Sequence, residues 1–351
     1  MADSTLKVGI IRLSSLGDII STMVFLDFIC AKFRQRGQKI EITFIVDTQF
    51  REILADSAMI DRIVDLPLRA SKKNKKLLFE IYKKTRQIGH FDILIDAQGL
   101  LKSALIGALI KKKKFVGFSA DSAREKVASL FYNKRAKIPY SEHILRRQYE
   151  LFRVAFEDFT LDSAKNTLDS AVKWERDFCL DFLENRNHTI DSSKCTKAKI
   201  AEILAPFKAN KKILFLSEAS KAEKEFPLTS FYALSQAIKR DFKDAKIFLL
   251  WDKNEREIKA LGEKDEIFCT LPHLNLDEIK ALLAMVDLVI GGDTGITHAA
   301  WAMRVPSVTL YVSTDIKRFA LGGERHISLL VRDFTQKSID EIHKSTKVLL
   351  K

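Results

Sequence analysis

The chain lacks the signatures that most quickly assign a protein. Its four cysteines, Cys30, Cys179, Cys195 and Cys269, lie far apart and form no C-x-x-C pair. That spacing argues against a zinc site or a disulfide framework and for reduced thiols in a cytosolic protein. No G-x-G-x-x-G occurs, which argues against a dinucleotide dehydrogenase. The best apolar run, Ile19 to Ala31, is interrupted by Asp27 and falls short of the roughly 20 apolar residues that a spanning helix needs. The N-terminus has no charged leader followed by an apolar core and a small-residue cleavage site. A cytosolic protein is therefore expected, with any membrane contact peripheral. No short repeat or low-complexity tract stands out.

What is present points to a large α/β protein. The 351 residues are 46% hydrophobic, enough for two domains. The net charge of +13 implies an acidic partner: nucleic acid, phosphorylated lipid or a phosphate-bearing substrate. Strand-like runs at Lys7–Arg12, Ile40–Val46, Arg62–Leu66, Phe91–Ala97 and Phe115–Gly117 alternate with helical patterns near 19–36, 47–57, 72–88 and 100–111. A second set of strands follows at Lys212–Ser217, Lys246–Trp251, Glu266–Cys269, Val286–Ile290, Ser307–Tyr311 and Ile327–Val331. Its helices fall near 228–240, 254–263, 275–284, 295–303 and 336–350. Such alternation means βα units and parallel sheets. Residues 1–160 and 211–351 are each expected to form a Rossmann-like, doubly wound domain facing a central cleft. The polar stretch 161–210 is expected to connect them, with helices near 171–185 and 197–205.

In such sheets ligands sit beyond the carboxyl ends of the strands, so the loops there carry the chemistry. After the first strand comes Ser14-Ser15-Leu16-Gly17-Asp18. Asp18 has two readings, a first-turn carboxylate favoured by the helix dipole or a general base for an attacking hydroxyl. Gly291-Gly292-Asp293-Thr294-Gly295 precedes a helix that carries His298. Two glycines and a helix N-terminus suit a pyrophosphate. Ser220 and Lys224 follow another strand and offer a hydroxyl and a cation to phosphate. Glu255, after Trp251-Asp252-Lys253-Asn254, suits ribose hydroxyls. Gln98 and Lys102 follow Asp96, and Arg124, His143 and Arg147 add basic groups to that half, fit for an acidic acceptor. The clusters Lys72, Lys73, Lys75, Lys76 and Lys111–Lys114 are solvated faces or contacts to anionic headgroups.

Taken together, Ile11-Arg12-Leu13-Ser14-Ser15-Leu16-Gly17-Asp18, Asp96-Ala97-Gln98-Gly99-Leu100-Leu101-Lys102-Ser103 and Gly292-Asp293-Thr294-Gly295-Ile296-Thr297-His298 resemble the bacterial lipopolysaccharide heptosyltransferases of glycosyltransferase family 9. Ser122 to Asn133 looks more like heptosyltransferase I than II. The resemblance implies a GT-B fold and inverting transfer of L-glycero-D-manno-heptose from ADP-heptose to the first Kdo of Kdo2-lipid A in inner-core biosynthesis. It implies Asp18 as catalytic base. It places Ser220, Lys224, Glu255, Asp293, Thr294, Gly295 and His298 at the donor. Ser15, Gly17, Gln98, Lys102, Arg124, His143 and Arg147 fall on the acceptor side.

The sequence departs from the family where Asp252 follows Trp251, where Ala219-Ser220 replaces paired hydroxyls, and at Phe226-Pro227; the ribose contact rests on Glu255 or Glu257. No D-x-D occurs, and metal-dependent sugar transferases often use such a pair, so no metal or other cofactor is expected. A monomer at the cytoplasmic face of the inner membrane is expected, with closure between its domains. Alternatives are a heptosyltransferase II acting on a heptose acceptor and a non-catalytic nucleotide- or anionic-lipid-binding protein. A nucleic-acid binder has only the charge in its favour and no recognisable motif.

Overall fold

The computed structural model describes residues 5–35, 37–159, 190–207, 211–219 and 224–351. The chain divides into two units, Met1–Thr189 and Ile190–Lys351.

The first unit holds six strands: β1 (Leu6–Ile11), β2 (Ile40–Asp47), β3 (Arg62–Leu66), β4 (His90–Asp96), β5 (Lys111–Phe118) and β6 (Lys134–Ala136). They pair in the order β3-β2-β1-β4-β5-β6, all parallel. Parallel neighbours need long crossovers. These run through α1 (Leu16–Gln35), α2 (Lys76–Arg86) and α3 (Leu101–Leu109), with α4 (Ile144–Ala155) following the last strand. The β1 run Val8, Ile10 and Ile11 is buried, as a strand covered on both faces requires.

The second unit begins with α5 (Lys194–Leu204). Its strands are β7 (Lys211–Leu216), β8 (Ala245–Leu249), β9 (Phe268–Thr270), β10 (Leu288–Gly292), β11 (Ser307–Tyr311) and β12 (His326–Leu330). Their order, β12-β11-β10-β7-β8-β9, is that of the first unit with the strands renumbered and the sheet turned over. The helices are α6 (Leu228–Asp241), α7 (Glu255–Gly262), α8 (Leu276–Leu283), α9 (Gly295–Ala302) and α10 (Gln336–Leu350). Phe215, Phe226, Phe231, Ile247, Leu288 and Ile342 lie within one buried cluster. α5 packs on α8, where Thr196 Oγ1 donates to Asp277 at 2.6 Å.

Each sheet begins at its centre, winds outward, and returns to add the remaining strands on the other side. The crossing leaves a crevice between β1 and β4 in one unit and between β7 and β10 in the other, which is where open α/β sheets bind ligands.

Several elements differ from the sequence expectation. Lys111–Lys114 belong to β5, which starts before the expected Phe115. Residues 72–88 form the shorter helices Leu68–Ser71 and Lys76–Arg86, and 47–57 breaks into two short turns, Thr48–Phe50 and Arg51–Leu54. β6 and α4 were not anticipated. The helix expected near 197–205 is α5, and the one near 171–185 lies outside the described residues.

Candidate functional site

At the β1–β4 crevice, α1 starts directly after the first strand and carries Asp18 in its first turn. The Asp18 carboxylate is fully oriented. Oδ1 lies 2.8 Å from Arg12 Nη2, and Oδ2 accepts from the Ser15 amide at 3.1 Å and the Ser15 hydroxyl at 2.8 Å. An ionised carboxylate offers about four lone-pair sites, so these three contacts leave one for a substrate proton. Burial acts to raise the Asp18 pKa, but the Arg12 charge and the Ser15 hydrogen bonds outweigh it and hold the group below the usual carboxylate value. Asp18 is thus ionised at neutral pH, and 28% of its side chain reaches solvent.

Arg12 is buried and also donates to the Ala97 carbonyl at the end of β4. Gln98 ties the same two loops together. Its Oε1 accepts from the Leu13 amide at 2.8 Å and its Nε2 donates to Ser14 Oγ at 3.3 Å. Beneath them Asp96, wholly buried, accepts from the amides of Gln98 and Gly99 and the hydroxyls of Ser103 and Tyr132, at 2.7–3.1 Å. Burial raises the Asp96 pKa despite those four donors. Neither Arg12 nor Asp96 was assigned a role from sequence. The available signal was a charged residue ending an otherwise apolar strand.

The remaining acceptor-side expectations divide. Ser15 and Gly17 lie in the Asp18 loop, and Lys102 is exposed in the first turn of α3. Arg124 is exposed, next to Glu125, whose carboxylate accepts from the Leu101 amide at 2.6 Å. His143 caps α4, its Nδ1 accepting from the Leu145 amide at 3.3 Å. Arg147 departs from expectation. It is 3% exposed and donates to the carbonyls of Ile138, Pro139 and Ser122, with its guanidinium over the rings of Phe118 and Tyr140. A buried cation satisfied by three carbonyls holds the 122–139 segment to α4; sequence alone did not show that its donors were taken.

At the β7–β10 crevice, Asp293 follows β10 and pairs with two cation-capable groups. Lys224 Nζ lies 2.9 Å from Oδ2 and His298 Nε2 lies 3.0 Å from Oδ1. Burial pushes the Asp293 pKa up, but His298 and Lys224 outweigh it and drive the carboxyl well below its ordinary value. His298 is buried, and its Nδ1 has no hydrogen-bond partner among the described residues. Thr294 caps α9 in a reciprocal arrangement with Thr297. The first helical amide bond runs from His298 to the Thr294 carbonyl, so the amides of Gly295 and Ile296 are donors without an intrahelical acceptor. Gly292 permits this turn, because a Cβ there would meet the Lys224 carbonyl oxygen at 2.7 Å.

Ser220 lies outside the described residues. Glu255 opens α7, is half exposed and pairs with Lys259 at 2.6 Å. The carboxylate that organises its loop is Glu218, unassigned from sequence. It accepts from the amides of Asp252, Lys253 and Asn254 at 2.8–3.1 Å, binding the ends of β7 and β8 together. Among the described residues no group of three His, Cys, Asp or Glu side chains has metal-holding geometry, and no helix is long and apolar enough to cross a membrane.

The family model for glycosyltransferase family 9 (heptosyltransferase) matches residues 81–348. Lipopolysaccharide heptosyltransferase 1 of Campylobacter coli is 32% identical over 324 residues, covering 90% of this chain and 86% of the relative. The enzyme of the same name from Salmonella typhimurium is 26% identical over 317 residues, covering 88% and 89%. Among solved structures, Escherichia coli heptosyltransferase WaaC with ADP matches with a TM-score of 0.76 at 22% identity, covering 98% of this chain and all of that one. The E. coli ADP-heptose lipopolysaccharide heptosyltransferase II matches with a TM-score of 0.71 at 15% identity, covering 98% of each. These likenesses show the GT-B fold.

Proposed function

The chain belongs to glycosyltransferase family 9, and from that premise we propose that it transfers L-glycero-D-manno-heptose from ADP-heptose to the first Kdo of Kdo2-lipid A, inverting the anomeric centre. The observation that carries the reading is the matching pair of strand-end crevices. One holds an ionised carboxylate with a lone pair to spare, and the other a lysine beside a helix N-terminus whose Gly295 and Ile296 amides have no intrahelical acceptor.

Asp18 removes the proton of the attacking Kdo hydroxyl as its oxygen bonds to the anomeric carbon. The bond from that carbon to the diphosphate breaks, and ADP leaves with the electron pair. Lys224 and the amides of Gly295 and Ile296 stabilise the charge developing on the leaving phosphate. With its Nε2–H given to Asp293, His298 presents Nδ1 as an acceptor, the polarity that a donor hydroxyl satisfies. Thr294, Ser220 and Glu255 complete the donor side. Lys102, Arg124 and His143, with Ser15, Gly17 and Gln98, complete the acceptor side. These fixed charges do the work assigned to a divalent cation in other sugar transferases, so transfer proceeds without metal. The enzyme acts as a monomer, peripherally at the cytoplasmic face of the inner membrane.

The test is incubation with ADP-heptose and Kdo2-lipid A in chelator, followed by ADP release and the mass of the lipid. Heptose addition at the Kdo supports the proposal, and no ADP release with this acceptor refutes it. Transfer only to an acceptor that already bears heptose assigns the second step of the inner core instead.

A further inference from the structure

One face of the first sheet carries a helical layer whose outer side takes no part in the site. Ile81 of α2, Ala104 and Ile106 of α3 and Ala128 of the short helix Lys126–Phe131 share one buried cluster with Phe91, Leu94 and Phe115 of the sheet. α3 packs against both α2 and the short helix, so their outer sides are neighbours. That surface is apolar on each element: Leu78, Phe79 and Tyr82 on α2, Leu105 on α3, and Val127 and Leu130 on the short helix are all exposed, Phe79 by 71% and Leu130 by 75%. The spacing groups them, since Leu78 and Tyr82 lie one helical turn apart, and residues three apart eclipse in a 3₁₀ turn. Scattered exposed apolar side chains are ordinary, but pairs aligned on neighbouring elements mark an interaction surface.

The charge around this surface is one-sided. Lys72, Lys73, Lys75, Lys76, Lys83 and Arg86 are exposed and have no ion-pair partner among the described residues; Glu80 is the one acid in that stretch. The other lysine cluster contrasts with it. Lys112 donates to the Gly107 and Ala108 carbonyls, Lys113 pairs with Asp92 and Lys114 with Asp158. Among the described residues the first group leaves all six of these cations without an ion pair, whereas in the second Lys111 alone is exposed and unengaged.

We propose that this face of α2, α3 and the 126–131 helix seats on an anionic bilayer, with Phe79 and Leu130 entering the acyl boundary and the lysines on the headgroups. A second copy of the chain fits poorly, because two-fold pairing sets this basic rim against itself. The proposal rests on the reading that the acceptor is lipid-anchored. α3 begins immediately after the Gln98 loop, so the docking face adjoins the edge of the sheet that holds Asp18.

The experiment is vesicle flotation without any sugar substrate, comparing phosphatidylcholine with phosphatidylcholine–phosphatidylglycerol. The protein is expected to float with the anionic vesicles and far less with the neutral ones. Phe79→Ser with Leu130→Ser, and separately Lys73→Gln with Lys76→Gln, are each expected to lower the partition coefficient by roughly tenfold. Transfer to a water-soluble Kdo acceptor by these variants should match the parent protein, which verifies folding. Equal flotation of parent and variants overturns the proposal, as does variants dissociating a dimer in sedimentation velocity with flotation unchanged. Flotation without ADP release from any acceptor leaves the docking face standing and refutes the transfer reaction instead.

Discussion

Arg12 lies 2.8 Å from Asp18 and also donates to the Ala97 carbonyl, so one guanidinium fixes both the charge of the carboxylate and its position between two strand ends. Removing that charge has a defined sign. As the proposed base, Asp18 works only when ionised, and Arg12 lowers its pKa. Arg12→Met should therefore shift the acid limb of kcat/KM to higher pH. An unmoved limb would mean that Asp18 is not the group titrating. The same pairing contributes stability that is present above the unfolded carboxylate pKa and lost as pH falls through the folded one.

Asp18→Ala should lower kcat by about 10²–10⁴-fold while ADP titration is unchanged. Near-normal turnover by this variant would remove the base assignment.

Lys224→Met should weaken ADP binding by roughly 10–100-fold, the range of a hydrogen bond to a charged group. Calorimetric titration measures this directly, and parent-like affinity would exclude the lysine from the phosphate site. Paired with Asp293→Asn in a double-mutant cycle, it should show strong coupling, because Asp293 holds the lysine.

Gly292→Ala places a methyl 2.7 Å from the Lys224 carbonyl oxygen. Backbone must move, at about 1–3 kcal/mol, with ADP affinity falling as well. Gly322→Ala meets nothing within 4 Å and should stay within ~0.5 kcal/mol of the parent. Equal effects in denaturant titration would contradict the steric account.

Arg147→Ala should destabilise by ~3 kcal/mol, since three carbonyls, two of them in buried bonds, lose their donor. Glu218→Ala should cost about 1–2 kcal/mol by freeing three amides. A raised KM for acceptor at unchanged stability would return Arg147 to the binding surface.

Most of the fold was legible in the sequence because parallel strands buried on both faces are short, dense apolar runs. Arg62–Leu66 and Ser307–Tyr311 match the observed strands end to end. β6 escaped because Lys134-Arg135-Ala136 is short, charged and at the sheet edge. α4 escaped because its arginines drew attention from the apolar spacing of Leu145, Phe152 and Ala155, which the structure buries. β5 was shortened because four lysines conceal a strand whose pairing comes from β4. The loops with glycine, aspartate and threonine were legible as strand-end turns that lead into helices. The supports Arg12 and Glu218 were not legible, since Ala97 and Asp252 to Asn254 are distant along the chain, and the role of Asp96 shows only once the fold buries it and brings Tyr132 to it.

The double pairing of Asp293 bears on the speed of the proposed cycle. A flexible lysine forfeits up to about 2 kcal/mol of rotamer freedom on being fixed, and here that loss is incurred when the protein folds, before any nucleotide arrives. Lys224 need only exchange one anion for another when diphosphate binds. In the proposed cycle the carboxylate reclaims the lysine when ADP departs, while His298 stays in place. On the proposed mechanism Asp293 is thus an internal competitor, tempering affinity for the spent nucleotide and favouring turnover over product retention.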